Sequence, residues 1–157
     1  PAFLRAIVAA EAAGSGIDPR RVFAIGMSNG GQMVLRLALE DPAAYAGLAV
    51  IAASLPAPAG RDCRVEPGSV PIAFFNGTAD PINPFNGGLV RVGNDVSRGY
   101  VLASGQAASW FAARAGHATP PRVRRLPDRD PDDRSSVERL DWNGTGRASV
   151  RLYAIHG

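Results

Sequence analysis

Three short apolar runs, spaced by helical patterns, constrain this chain most. They read "RVFAIG" from residue 21, "YAGLAVIAAS" from 45 and "VPIAFFNG" from 70. The last two lack polar alternation, as expected of central parallel strands covered by helices on both faces. Before the first run, Phe3, Leu4, Ile7, Val8 and Ala12 recur at helical spacing between Ala2 and Ala13, and "GSGIDPRR" then breaks the helix and turns the chain. After it, "QMVLRLALE" places Met33, Val34, Leu37 and Ala38 on one helical stripe before "EDP" stops it, and a third helical pattern runs from Val101 to Ala115. Parallel neighbours cannot be joined by tight turns and need such crossovers. Two final strands, "SVERLDW" and "ASVRLYAIH", flank "NGTG", whose Asn-Gly is a hairpin signal. The Pro-rich, charged stretch "HATPPRVRRLPDRDPDDR" reads as an exposed connection. With no internal repeat and no sign of a second domain, residues 1–157 read as one α/β domain with a mainly parallel sheet and flanking helices.

Composition narrows the function classes. Seventeen basic residues face 14 acidic ones, and every basic residue is Arg, for a net charge of +3. The densest basic run, Arg122 to Arg125, is followed at once by "DRDPDD", so local charges cancel and no nucleic-acid stripe is expected. The longest apolar run, Ala43 to Leu55, is interrupted by Gly47 and Ser54 and is too short to span a bilayer. Cys63 is the single cysteine, which precludes a disulfide within the chain. The scattered His and Cys residues have no metal-ligand spacing, so no metal is expected, and no cofactor motif stands out. "GMSNGG" lacks both the dinucleotide-binding spacing and the Lys of a P-loop. Oligomeric state has no signature here.

The chemistry concentrates at Gly26-Met27-Ser28-Asn29-Gly30, a G-x-S-x-G sequence between a strand pattern and a helix pattern. In a chain with 18 glycines that string alone is weak, but the strand-turn-helix setting is the context it needs to act as a nucleophile elbow. A Ser on so sharp a turn has its backbone crowded two residues to either side, so Gly26 and Gly30 are expected to be sterically required. The following helix points its first amides at the site, making the Asn29 N–H a candidate oxyanion donor. The rival reading of Ser28 is a Gly-rich turn residue.

An elbow serine needs an acid and then a His later in the chain. Asp80, in the Gly/Pro/Asn-rich loop after "IAFF", is the candidate acid; the alternative is an Asp that stabilises its own turn. Asp62 and Asp95 lack an equally good strand before them. Only His117 and His156 could be the base. His117 follows Gly116 at a helix end and reads as structural. His156 comes in the right order but closes the last strand with only Gly157 behind it, leaving nothing to fold it over Ser28.

Together "AFLRAIVA", "IDPRRVFAIGMSNGGQM" and "FFNGTADPINPFNGG" resemble the poly(3-hydroxybutyrate) depolymerase-like esterases of the α/β-hydrolase superfamily, with their feruloyl and acetylxylan esterase relatives. The resemblance covers nearly the whole chain. It implies a partial α/β-hydrolase fold, Ser28 as nucleophile, Asp80 as acid, an ester substrate (small molecule or polymer), no cofactor and an extracellular protein. It further implies a catalytic His in a Gly-rich sequence just beyond Gly157, which would remove His156 from that role, and missing strands before Ala2 with a second oxyanion donor. On this expectation the chain is an internal fragment, its start and any targeting signal are missing, and it is inactive alone. Many relatives carry Cys near His117 and Thr145, so the resemblance implies a lost disulfide there. Two rival functions remain at this stage, a non-catalytic binding domain on the same fold and a serine peptidase.

Overall fold

The computed structural model describes all 157 residues as a mixed α/β domain with three α-helices. In chain order these are α1 (Ala2–Gly14), β1 (Phe23–Met27), α2 (Asn29–Glu40), β2 (Gly47–Ile51), β3 (Ile72–Gly77), β4 (Gly88–Leu89), β5 (Tyr100–Val101), α3 (Ser104–Arg114), β6 (Arg122–Arg125), β7 (Ser136–Trp142) and β8 (Val150–His156). The main sheet has the order β1-β2-β3-β8-β7-β6, and β4 and β5 form a separate two-stranded pair. Strands β1, β2, β3 and β8 are parallel, and β7 and β6 extend the sheet antiparallel. The mainly parallel sheet is therefore as read from sequence. No helix is long and apolar enough to cross a membrane.

The register divides the sheet cleanly into two faces. Leu48, Ile72 and Val150 share one rung, Val50, Phe74 and Leu152 the next, and all six are buried. Val34, Leu35, Leu37 and Ala38 of α2 and Ala107, Ala108 and Phe111 of α3 pack against them in a single core. The opposite face is open. Its residues on β1, Phe23, Ile25 and Met27, are 67%, 70% and 67% exposed, and the Met27 rung continues through Ile51, Phe75 and Tyr153.

This corrects the expectation of helices on both faces. The parallel strands follow one another in one direction across the sheet, and right-handed crossovers that advance in one direction lie on one side of it. A helix reaches the other face only where the order of parallel strands reverses, and β1, β2, β3 and β8 advance in one direction, with β6 and β7 returning to β8 as an antiparallel extension. Strand β1 ends the sheet, with one edge unpaired.

Two local readings also change. Val101 belongs to β5, and α3 begins only at Ser104. The Leu102 N–H bonds the Leu55 carbonyl (2.8 Å), and this tertiary pairing overrides the helical pattern around Val101 and Leu102. The supposed connection "RVRR" is β6, a fully exposed edge strand paired with β7. Its backbone ladder needs no apolar side chains, so hydrophobic patterning could not reveal it, and its arginines discourage further edge pairing.

Candidate active site

Strand β1 hands over to α2 through Ser28, whose backbone is held at φ +52° and ψ −116°. A non-glycine residue pays strain energy there and persists only if its surroundings fix it. They do so on both sides. The Ser28 N–H donates to the Ile51 carbonyl at 2.8 Å, and its own carbonyl accepts from the Gln32 N–H at 3.0 Å. Gly26 makes the turn possible, since a Cβ there would lie 2.2 Å from the Gly30 oxygen.

Gly30 itself departs from expectation: a Cβ at that position would meet open space. The second tight position is Gly31, where a Cβ would come within 2.8 Å of the Ala53 Cβ. The crowding thus falls one residue later, where α2 crosses the end of β2. Asn29 begins α2, and first-turn amides have no intrahelical acceptor.

Ser28 opens into a cavity of about 220 Å³. Its wall includes Gln32, Ala52, Asn83, Arg98 and Tyr100, with Ile82, Val90, Val92 and Val101 as apolar lining. Buried and half-buried hydrogen bonds hold the walls together. The Gln32 Nε2 donates to the Ser54 carbonyl (3.0 Å), the Ser54 Oγ to the Leu102 carbonyl (2.7 Å), and the Asn76 Nδ2 to the Ala53 carbonyl (3.0 Å) and the Ser104 Oγ (2.8 Å). The loop after β2 is thereby tied to β3 and to the start of α3.

Asn83 is different: it is 5% exposed, and its Nδ2 has no partner. Next to Arg98 in this wall, the Asp95 carboxyl is held below the usual range, first by the Ser97 hydroxyl and backbone N–H and then by Arg98. Sequence reading missed Gln32, Asn83, Arg98 and Tyr100. Only Asn76 left a trace, as a polar residue ending an apolar strand.

Asp80 follows β3 on the same carboxyl edge of the sheet. Its Oδ1 accepts the Ile82 N–H (2.8 Å) and the Asn83 N–H (2.9 Å), so the turn-stabilising use is present. That turn places Ile82 and Asn83 in the cavity wall. Two strand steps separate Ser28 from Asp80, about 10 Å at the usual strand spacing.

Neither histidine is beside Ser28. His117 bonds the Ala148 carbonyl through Nε2 (2.9 Å), at the amino end of β8 and so at the opposite edge of the sheet. His156 is exposed and ends β8, three strand steps or about 14 Å from β1. The two segments tied by the implied lost disulfide do adjoin, because a Cβ on Gly144 would lie 3.5 Å from His117 Cε1. No group of three or more His, Cys, Asp or Glu side chains is placed to hold a metal ion.

No family model matches the chain. It is 44% identical over 86 residues to a protein of Nocardia uniformis subsp. tsuyamanensis named "Putative esterase NocK". The matched stretch covers 54% of this chain but only 24% of that protein.

Proposed function

We propose that the chain carries the nucleophile and acid of a serine carboxylic-ester hydrolase built on the α/β-hydrolase fold. The observation that carries this reading is Ser28, a non-glycine residue at φ +52° between a parallel strand and a helix, opening into a cavity. The partial likeness to a protein named as an esterase supports ester hydrolysis in general. In this reading the Ser28 Oγ attacks the ester carbonyl carbon while an imidazole removes its proton. The Asn29 N–H stabilises the oxyanion, the alcohol leaves with the proton, and water then releases the acid from the acyl-enzyme. Asp80 orients the imidazole through the oxygen not engaged in its turn.

In this reading the imidazole is neither His117 nor His156, and the sequence resemblance implies one in a Gly-rich sequence following Gly157. The poly(3-hydroxybutyrate) depolymerase-like subfamily, with hydroxyalkanoate, feruloyl, acetyl or other short-chain acyl groups as substrates and an extracellular location, is the finer form of this reading. It rests on the sequence resemblance.

The absence of a histidine beside Ser28 favours one rival, a hydrolase-fold domain that binds without catalysis. Assay of short p-nitrophenyl esters and the matching anilides, with the chain expressed alone and with its flanking coding sequence, separates the two. The proposal expects ester turnover in the longer product, abolished by Ser28→Ala, and none of the anilides. No turnover in either product would favour the binding domain, and anilide cleavage a peptidase.

A further inference from the structure

Far from Ser28, the sheet's open face changes from apolar to strongly basic. Rungs read across β8, β7 and β6 place Arg151, Asp141 and Arg122 on one line, and Tyr153, Arg139 and Arg124 on the next. The Asp141 carboxylate is 5% exposed and is shared between Arg139 (2.7 Å) and Arg151 (3.1 Å). One negative charge is thus already matched twice. Arg122 and Arg124 have no ion-pair partner, and Arg124 stands directly across from Arg139. Like charges directly opposed on a sheet are destabilising.

The neighbouring acidic run makes no ion pair with them, and three of its carboxylates instead accept backbone N–H groups of their own loop. Asp128 accepts from the Asp130 N–H, Asp130 from the Asp132 N–H and Asp133 from the Ser135 N–H. The charge cancellation expected from the sequence of this stretch is therefore not realised by pairing. A cavity of about 360 Å³ opens among Arg122, Arg124, Arg139, Asp141 and His117, large enough for a group the size of one or two phosphates.

We propose that this cleft binds a small oxyanion carrying two or more negative charges, held by Arg122, Arg124 and Arg139. Guanidinium groups present paired N–H donors that match such oxygens in two-point contacts. Arg139 is pre-positioned by its bond to Asp141, while Arg122 and Arg124 supply the uncompensated charge. Two charges on the ligand match the two arginines that have no ion-pair partner, Arg122 and Arg124, and a bound dianion would relieve the Arg124–Arg139 opposition.

Calorimetric titration with pyrophosphate at fixed ionic strength, and with acetate as the monovalent comparison, tests this directly. Saturable pyrophosphate binding is expected. It should weaken at least tenfold in the Arg122→Gln/Arg124→Gln double variant and stay unchanged in Arg21→Gln, an exposed arginine elsewhere. Thermal melting supplies a second reading that does not depend on the ligand. Without anion Arg124→Gln should melt no lower than the unaltered protein, and with pyrophosphate it should lose most of the rise seen in the parent. Non-saturable binding, equal binding by the double variant, or an equal thermal shift from sodium chloride at matched ionic strength would overturn the proposal.

Discussion

Ser28 and Ala52 stand side by side at the ends of paired strands, and both hold their backbones at positive φ, +52° and +48°. Met27 and Ile51 are register partners, so the two residues leave β1 and β2 on the same rung. The Ala52 N–H bonds the Phe75 carbonyl at 3.0 Å, and the same pattern of strand-end hydrogen bonding fixes Ser28 against Ile51. Both residues line the one cavity. Strain at Ala52 therefore shapes the wall beside the serine. A β-branched residue tolerates positive φ poorly, so Ala52→Val should destabilise the fold by about 2 kcal/mol, whereas Ala52→Gly should stay within about 1 kcal/mol of the parent. Urea denaturation of the two variants checks this contrast.

The glycines of the elbow differ in what they permit. Gly26→Ala drives a methyl group into the Gly30 backbone, and the clash with main chain should cost about 3 kcal/mol. Gly30→Ala meets open space inside a helix, and should leave stability unchanged or raise it by up to about 1 kcal/mol. Equal losses in the two variants would show that the turn differs from the one described.

The turn that Asp80 holds can be separated from the acid role proposed for it. Asp80→Ala removes the acceptor of two backbone N–H groups and should lower stability by about 1 to 2 kcal/mol. Asp80→Asn keeps an oxygen for the turn while losing the charge that would orient an imidazole. In an active form it should melt like the parent yet lose about 10⁴-fold in kcat. Unchanged turnover in Asp80→Asn would remove Asp80 as the acid and leave only its turn.

The uncovered sheet face should be measurable as a surface. Phe23, Ile25 and Met27 are each about two-thirds exposed, on an edge strand with unpaired backbone groups. Such an edge promotes self-association. Ile25→Glu should reduce dye binding by anilinonaphthalene sulfonate and shift sedimentation toward monomer, while changing stability by no more than about 0.5 kcal/mol. Dye binding equal to that of the parent would mean that this face is not the accessible apolar surface.

How far the sequence carried the reading depended on the range of each signal. The Ser28 turn was legible because strand, serine, small residues and helix follow one another within sixteen positions. Strand order was partly legible, since unalternated apolar runs mark parallel strands. The side on which helices lie was not, because "GLAVI" and "IAFF" look alike whether their second face is covered or bare. Gln32, Asn83 and Arg98 converge on one cavity from three separate segments, and no local pattern encodes that meeting. Gly31 was overlooked for a related reason, since its crowding comes from Ala53 across the fold.

The nucleophile role proposed for Ser28, with no imidazole beside it, makes a direct forecast for covalent labelling. After exposure to a fluorophosphonate, peptide mapping by mass spectrometry should find one phosphonyl group, on Ser28 and absent from Ser28→Ala. It should form slowly in buffer and at least about tenfold faster when free imidazole is added as a general base. Labelling spread over other serines, or Ser28 labelling indifferent to imidazole, would contradict the account.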